Sequence, residues 1–194
     1  MSDCPTWLKS AIADARDGDG ALSVARLGSA DRLGAGDLKL TSAAFADGED
    51  LDPCFTADEE DAVAPPLEWS QPPAGTMEMA LIVEDADASA KCHWLVFGIA
   101  PQRGKLMEGE TPPRTGKNGA GNSDWLLPAP PQEDEPHRFV FQLYALDAPL
   151  GLSPGASRKA LTEAMEGHVL SVALLTATYA RETEIEDWDD IEVE

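Results

Sequence analysis

The sequence predicts a mostly-β domain with a few short helices, on three observations. Apolar residues alternate with others over 77–83, 93–99 and 139–146, the period of a strand with two distinct faces. Clusters of Pro, Gly and Asp separate these runs, Pro72-Pro73-Ala74-Gly75-Thr76 being the clearest. The stretch 169–179 is, apart from Ser171, apolar on both parities until Thr176 and Thr178, as expected of a central strand buried on both faces.

Taken in order, 5–16 places Trp7, Leu8, Ala11, Ile12 and Ala15 at helical spacing, and Asp17-Gly18-Asp19-Gly20 ends that pattern. The remainder to Gly36 is rich in Ala, Gly and Asp and weakly periodic, so residues 1–36 read as an N-terminal extension carrying one short helix. A first strand begins at Leu38-Lys39-Leu40-Thr41-Ser42. Pro65-Pro66 forces an extended approach to Leu67-Glu68-Trp69. In 77–83, Met77, Met79, Leu81 and Val83 share one face, and Glu78, Ala80 and Ile82 the other. By the same alternation His93 falls with Leu95 and Phe97. The stretch 104–122, rich in Gly, Pro, Thr and Asn, is a long loop, and such loops in small domains tend to carry function or to be disordered. A helix is expected over 157–166, with Leu161, Ala164 and Met165 as its stripe and Gly167 just past its end. From 182 the chain is an acidic tail expected to be disordered.

With 194 residues and 43% hydrophobic content, the chain has enough for one domain and its core. Its net charge of −22 argues against nucleic acid and against anionic membrane surfaces, both of which attract Lys and Arg. An anionic ligand must therefore be held by local donors working against the field of the whole molecule. Cys4, Cys54 and Cys92 are odd in number and far apart, with no zinc spacing, which suits free thiols in the cytoplasm. No secretory leader is expected at the start, and no apolar run approaches the roughly 20 residues of a membrane span.

The polar residues that stand out lie at strand ends. Asp85 and Asp87 sit in the loop between two strands, and in extended backbone they point the same way. Their alternative reading is an Asx-turn, in which a carboxylate binds nearby backbone. His93 opens the second strand, and His137 precedes Phe139 at the start of another. Two carboxylates and two imidazoles at adjoining strand ends point to a polar pocket for a small anion. His168 is expected to serve a helix end instead. No nucleophile elbow, phosphate loop or dinucleotide fingerprint is present, and no cofactor or metal is expected.

Several ordered stretches together resemble the phosphatidylethanolamine-binding protein family, in its bacterial Raf-kinase-inhibitor-like branch. They are Pro65-Pro66-Leu67-Glu68-Trp69, Pro73-Ala74-Gly75-Thr76 with Ala80-Leu81-Ile82-Val83, Asp85-Ala86-Asp87-Ala88-Ser89, and His93-Trp94. Further on come Gly116-Lys117-Asn118 through Gly121, Pro128-Ala129-Pro130-Pro131, and Pro136-His137-Arg138-Phe139. The resemblance covers roughly residues 37–181. It implies an antiparallel β-sandwich with a few peripheral helices. It also implies a pocket for phosphate-type head groups formed by Asp85, Asp87, His93 and His137 with Pro130 and Pro131 as its wall. By the same resemblance the chain is not an enzyme. It is expected to bind a small anion, phosphate or a phosphate monoester, to have a regulatory role through a protein partner as kinase or protease inhibitors do, and to form a homodimer.

The sequence departs from the family pattern at informative places. Ala86 and Ser89 stand where the family has prolines, predicting a less rigid acidic loop. Leu127 replaces a glycine and Ala129 a frequent cysteine, Phe139 replaces tyrosine and loses its hydroxyl, and Lys91 replaces an aromatic. Leu127 predicts a narrowed pocket, and Lys91 a replacement cation. Two alternatives stay open: an interaction module with a vestigial pocket, and a hydrolase using Asp85, His93 and His137.

Overall fold

The computed structural model describes residues 3–182. In chain order it has helices α1 (Thr6–Lys9), α2 (Ser23–Leu27) and α3 (Arg158–Met165), and strands β1 (Leu40–Thr41), β2 (Leu67–Trp69), β3 (Glu78–Asp85), β4 (Lys91–Ile99), β5 (Gly104–Leu106), β6 (His137–Leu146) and β7 (Val169–Tyr179). All strand pairs are antiparallel, in one sheet of order β1-β2-β5 and a larger one of order β4-β3-β6-β7. The fold is thus the antiparallel, mostly-β class that the sequence predicts.

Two apolar layers follow from the period of two along β3 and β6. Met79, Leu81 and Val83 face the small sheet together with Phe139, Phe141 and Leu143, meeting Leu40, Leu67, Trp69 and Leu106. Ala80 and Ile82, with Val140, Tyr144 and Leu146, face the other way, onto Leu8, Leu22, Val24 and Leu27 and onto Leu161 and Met165 of α3. Each such Leu or Phe contributes about 1.5–3 kcal/mol by leaving water. The first layer is the sandwich core. The second is a lid of N-terminal segment and α3 on the outer face of the large sheet.

Two buried polar nodes hold that lid. Glu84, fully buried on the outer face, accepts hydrogen bonds from the Ser23 amide (2.8 Å), Ser23 Oγ (2.6 Å), Gln142 Nε2 (2.8 Å) and Arg158 Nη1 (3.0 Å). Gln142 Oε1 in turn accepts from the Val24 amide at 3.0 Å and from the Tyr144 hydroxyl at 2.6 Å. The second node joins Arg138 to Asp19 and Asp87. Chains of this kind satisfy buried polar groups that would otherwise be costly to desolvate.

Several elements differ from the sequence expectation. The helix expected over 5–16 is one turn, Thr6–Lys9. Asp14 turns left-handed (φ 55°), and its carbonyl accepts from Arg138 Nη1, which a continued helix would not allow. β7 is the outermost strand of its sheet, not a central one. It is apolar on both parities because both its faces are covered and because 32–34 and 47–51 bind along its free edge. The long loop after β5 is clipped to the free edge of β4, where Phe97, Leu95, Cys92 and His93 bond in turn with Arg114, Gly116, Gly119 and Leu126. α3 runs as expected, with Ser157 Oγ accepting from the Ala160 amide at its start and Gly167 left-handed (φ 78°) beyond its end. The acidic tail expected over 182–194 lies, but for its first residue, outside the described residues.

Candidate functional site

The strands bring Asp85, His93 and His137 to one end of the inter-sheet layer. Asp85 ends β3 and His137 opens β6, on the parity of Phe139 and Phe141. His93 arrives by a different route. Val83 pairs with Trp94 and Glu84 with Cys92, so His93 is an extra residue in β4, a β-bulge. A bulge re-aims a side chain. The His93 ring therefore packs against Phe139, edge to face at 5.1 Å, and toward Trp125 at 6.2 Å, both on the sandwich side. Parity alone would place it with Leu95 and Phe97 on the outer side.

His93 Nδ1 lies 2.7 Å from the Leu126 carbonyl, which can only accept, so Nδ1 carries the proton and Nε2 is left as an acceptor. Burial lowers the pKa of this ring, Lys91 and His137 add to the depression, and Leu126 and Asp85 oppose it. The Leu126 carbonyl is itself set by the motif around Asn118. Asn118 Oδ1 accepts from the amides of Ala120 and Asn122, and its Nδ2 donates to the Asp124 carbonyl. Gly116 belongs to that motif for lack of space, since a Cβ there would sit 2.6 Å from the Ala156 carbonyl oxygen.

His137 is held on both sides. Nδ1 is 2.7 Å from Asp85 Oδ2, and Nε2 is 3.0 Å from Asp134 Oδ2. Burial works against its charge, but the two carboxylates outweigh it and the pKa is raised. Asp85 is buried, and its Oδ1 accepts from the Asp87 amide at 2.9 Å. The Asx-turn that is the alternative reading of this pair is therefore present, made by Asp85 and not by Asp87.

The Asp87 carboxylate does not join Asp85 and His137. The chain turns at 86–90, with Ser89 and Ala90 left-handed, and the parity argument for Asp87 fails there. Its carboxylate binds Arg138, Oδ2 accepting from the amide (2.8 Å) and Nε (3.0 Å) and Oδ1 from Nη2 (2.9 Å), with Arg16 Nη1 at 3.1 Å. Burial opposes its charge, yet these donors hold its pKa below the usual carboxylate range. Pro130 is buried and Pro131 exposed, at the start of the segment that leads to Asp134. Leu127 packs against the sandwich core and borders a cleft of about 270 Å³ with Trp94 and Trp125. Lys91 lies over Gly119.

Asp134, the Leu126 carbonyl and the Arg138 node escaped the sequence reading. Asp134 had one faint signal, its spacing of three from His137. Arg138 had a better one, as the one Lys, Arg, Asp or Glu in a ten-residue strand. Among the described residues no group of three or more His, Cys, Asp or Glu side chains is arranged to hold a metal.

Comparison with known proteins agrees with this architecture. The sequence profile of the family "Phosphatidylethanolamine-binding protein" matches residues 41–180. A UPF0098 protein of Methanothermobacter thermautotrophicus is 39% identical over 156 residues, covering 74% of this chain and 99% of its own. A putative lipoprotein, LppC, of Mycobacterium tuberculosis is 37% identical over 146 residues, 73% of this chain and 72% of its own. Among solved structures, a putative phosphatidylethanolamine-binding protein homologue from Chlamydia trachomatis superposes with a TM-score of 0.70 at 33% identity, covering 75% of this chain and 98% of that one. YbcL of E. coli shares the fold at a TM-score of 0.68 and 24% identity, over 75% of this chain and 99% of its own. With the profile spanning most of its length, the chain belongs to the phosphatidylethanolamine-binding protein family.

Proposed function

We propose that this protein is a non-enzymatic binder of a small oxyanion, phosphate or a phosphate monoester, at the end of the sandwich that carries His137 and His93. The observation that carries the reading is His137. Its Nδ1 is fixed by buried Asp85, and its Nε2 already holds a carboxylate oxygen at 3.0 Å. Both ring nitrogens face carboxylate oxygens, which only accept, so in this arrangement the ring is a double donor, which suits an oxyanion and not a base waiting for a proton. His93 Nε2, an acceptor, suits the hydroxyl of a monoprotonated phosphate or the ammonium of a head group. We assign Asp85, His93, His137 and the Pro130–Pro131 wall to the pocket, and Asp87 to its support through Arg138.

A regulatory role through a protein partner, residence in the cytoplasm and assembly as a homodimer complete the proposal. Free Cys4, Cys54 and Cys92 suit a reducing compartment. No helix among the described residues is long and apolar enough to cross a membrane. A second reading, an interaction module with a vestigial pocket, draws support from Asp134 occupying His137.

The test is thermal stability against phosphate, phosphoethanolamine, nucleotides and acetate. A ligand selective for the native state adds about 2.7 kcal/mol at a hundredfold excess over its Kd. A rise in midpoint that disappears in His137→Ala is expected, whereas no rise with any anion would leave the interaction-module reading standing.

A further inference from the structure

We propose that Asp134 is a built-in competitor for the anion site, so that an external oxyanion binds only by displacing it. This rests on the anion-pocket reading above. An imidazolium has two N–H donors, and in His137 both are spent on carboxylates. The two are not equally free to leave. Asp85 has a side chain only 5% exposed, and its second oxygen holds the Asp87 amide. Asp134 has a side chain 48% exposed and makes no other side-chain hydrogen bond among the described residues. Its backbone is set by a turn, the Asp134 amide donating to the Pro131 carbonyl at 3.2 Å, which aims the carboxylate back at His137 three residues on. Glu133 and Glu135 flank it and make no side-chain hydrogen bond among the described residues. Of three consecutive acids, the turn thus selects one to sit on the donor.

The consequence is a tax on affinity. A site that is competent only when Asp134 is away binds with its intrinsic Kd divided by the open fraction. The loop answers in return, because a bound anion releases Asp134 into solvent beside Glu133 and Glu135.

Inorganic phosphate titrated calorimetrically into the full chain tests this, comparing the unaltered protein with Asp134→Ala, Glu133→Ala and the double variant Asp134→Ala/His137→Ala. Asp134→Ala is expected to bind about threefold tighter or more, a half-exposed ion pair being the barrier removed. Glu133→Ala, which removes the same charge without a contact to His137, is expected to gain much less, and the double variant to lose binding. Equal affinity of Asp134→Ala and the unaltered protein would overturn the competitor and leave the pocket intact, as would an equal gain in Glu133→Ala. Phosphate binding to none of the proteins would overturn both the pocket and the competitor.

Discussion

Arg138 grips Asp19 with two hydrogen bonds of 2.8 Å, Nη1 to Oδ2 and Nη2 to Oδ1, with both side chains almost wholly out of water. The contact spans more than half the chain and ties the N-terminal segment to β6. The same guanidinium orders Asp87 and the loop that begins at Asp85, so one residue couples the lid to the rim of the site. Removing one partner of a buried ion pair strands the other. Arg138→Met is therefore expected to destabilise the protein by about 3–5 kcal/mol in urea denaturation. A loss below about 1 kcal/mol, the range of surface pairs, would show the node to be dispensable.

The two site histidines are expected to titrate in opposite directions from 6.5. His137 is raised by Asp85 and Asp134 against its burial, and His93 is lowered chiefly by burial. The signs follow by linkage. His137 adds stability that is complete below its unfolded value of about 6.5 and is lost as pH rises through its folded pKa. His93 adds stability that is complete above about 6.5 and is lost as pH falls through its folded pKa. Long-range proton–nitrogen NMR resolves both rings. His137 titrating at or below 6.5 would contradict the double-carboxylate clamp, and Asp85→Asn should move it down.

Glu84 is the key to the lid's other fastening. Glu84→Leu leaves the Ser23 amide, Gln142 and Arg158 facing an apolar group, while Glu84→Gln keeps an acceptor and much of the shape. Hydrogen exchange should show residues 3–27 opening at least about tenfold more often in Glu84→Leu, a free-energy loss of about 1.4 kcal/mol or more. Uniform protection across both variants would mean the lid is held by its apolar contacts alone.

Gly116→Ala should lower the thermal midpoint through a loss of about 1–3 kcal/mol, because the new methyl meets the Ala156 carbonyl and the Leu95 side chain. The cost should also reach the site, since this loop delivers the Leu126 carbonyl to His93. An unchanged midpoint would mean that 116 and 156 move apart freely.

Much of the fold is legible in the sequence because β-strands print a period of two. The faces of β3 follow directly from Met79, Leu81 and Val83 against Ala80 and Ile82. Where that period breaks, legibility ends. The bulge at His93 changes the ring's side without leaving a mark in residue order. The turn that begins at Ala86, with the Asp87 amide held by Asp85 Oδ1, takes the Asp87 carboxylate away from Asp85, although simple alternation puts them together. Asp134, with only its spacing from His137 to mark it, was hard to read for another reason. In a run of three acids, sequence cannot say which one a turn will aim.

Both long borders of the larger sheet are occupied, β4 by the 114–126 segment and β7 by 32–34 and 47–51. In the smaller sheet the outer strands, β1 and β5, run for two and three residues. Among the described residues the molecule thus offers little main chain for another polypeptide to zip onto, and open strand borders are the usual seeds of fibrillar growth. A concentrated solution of this strongly acidic protein at neutral pH is accordingly expected to resist ordered aggregation. Among the described residues, the surfaces left for a second copy are side chains on faces and loops and not a shared ladder.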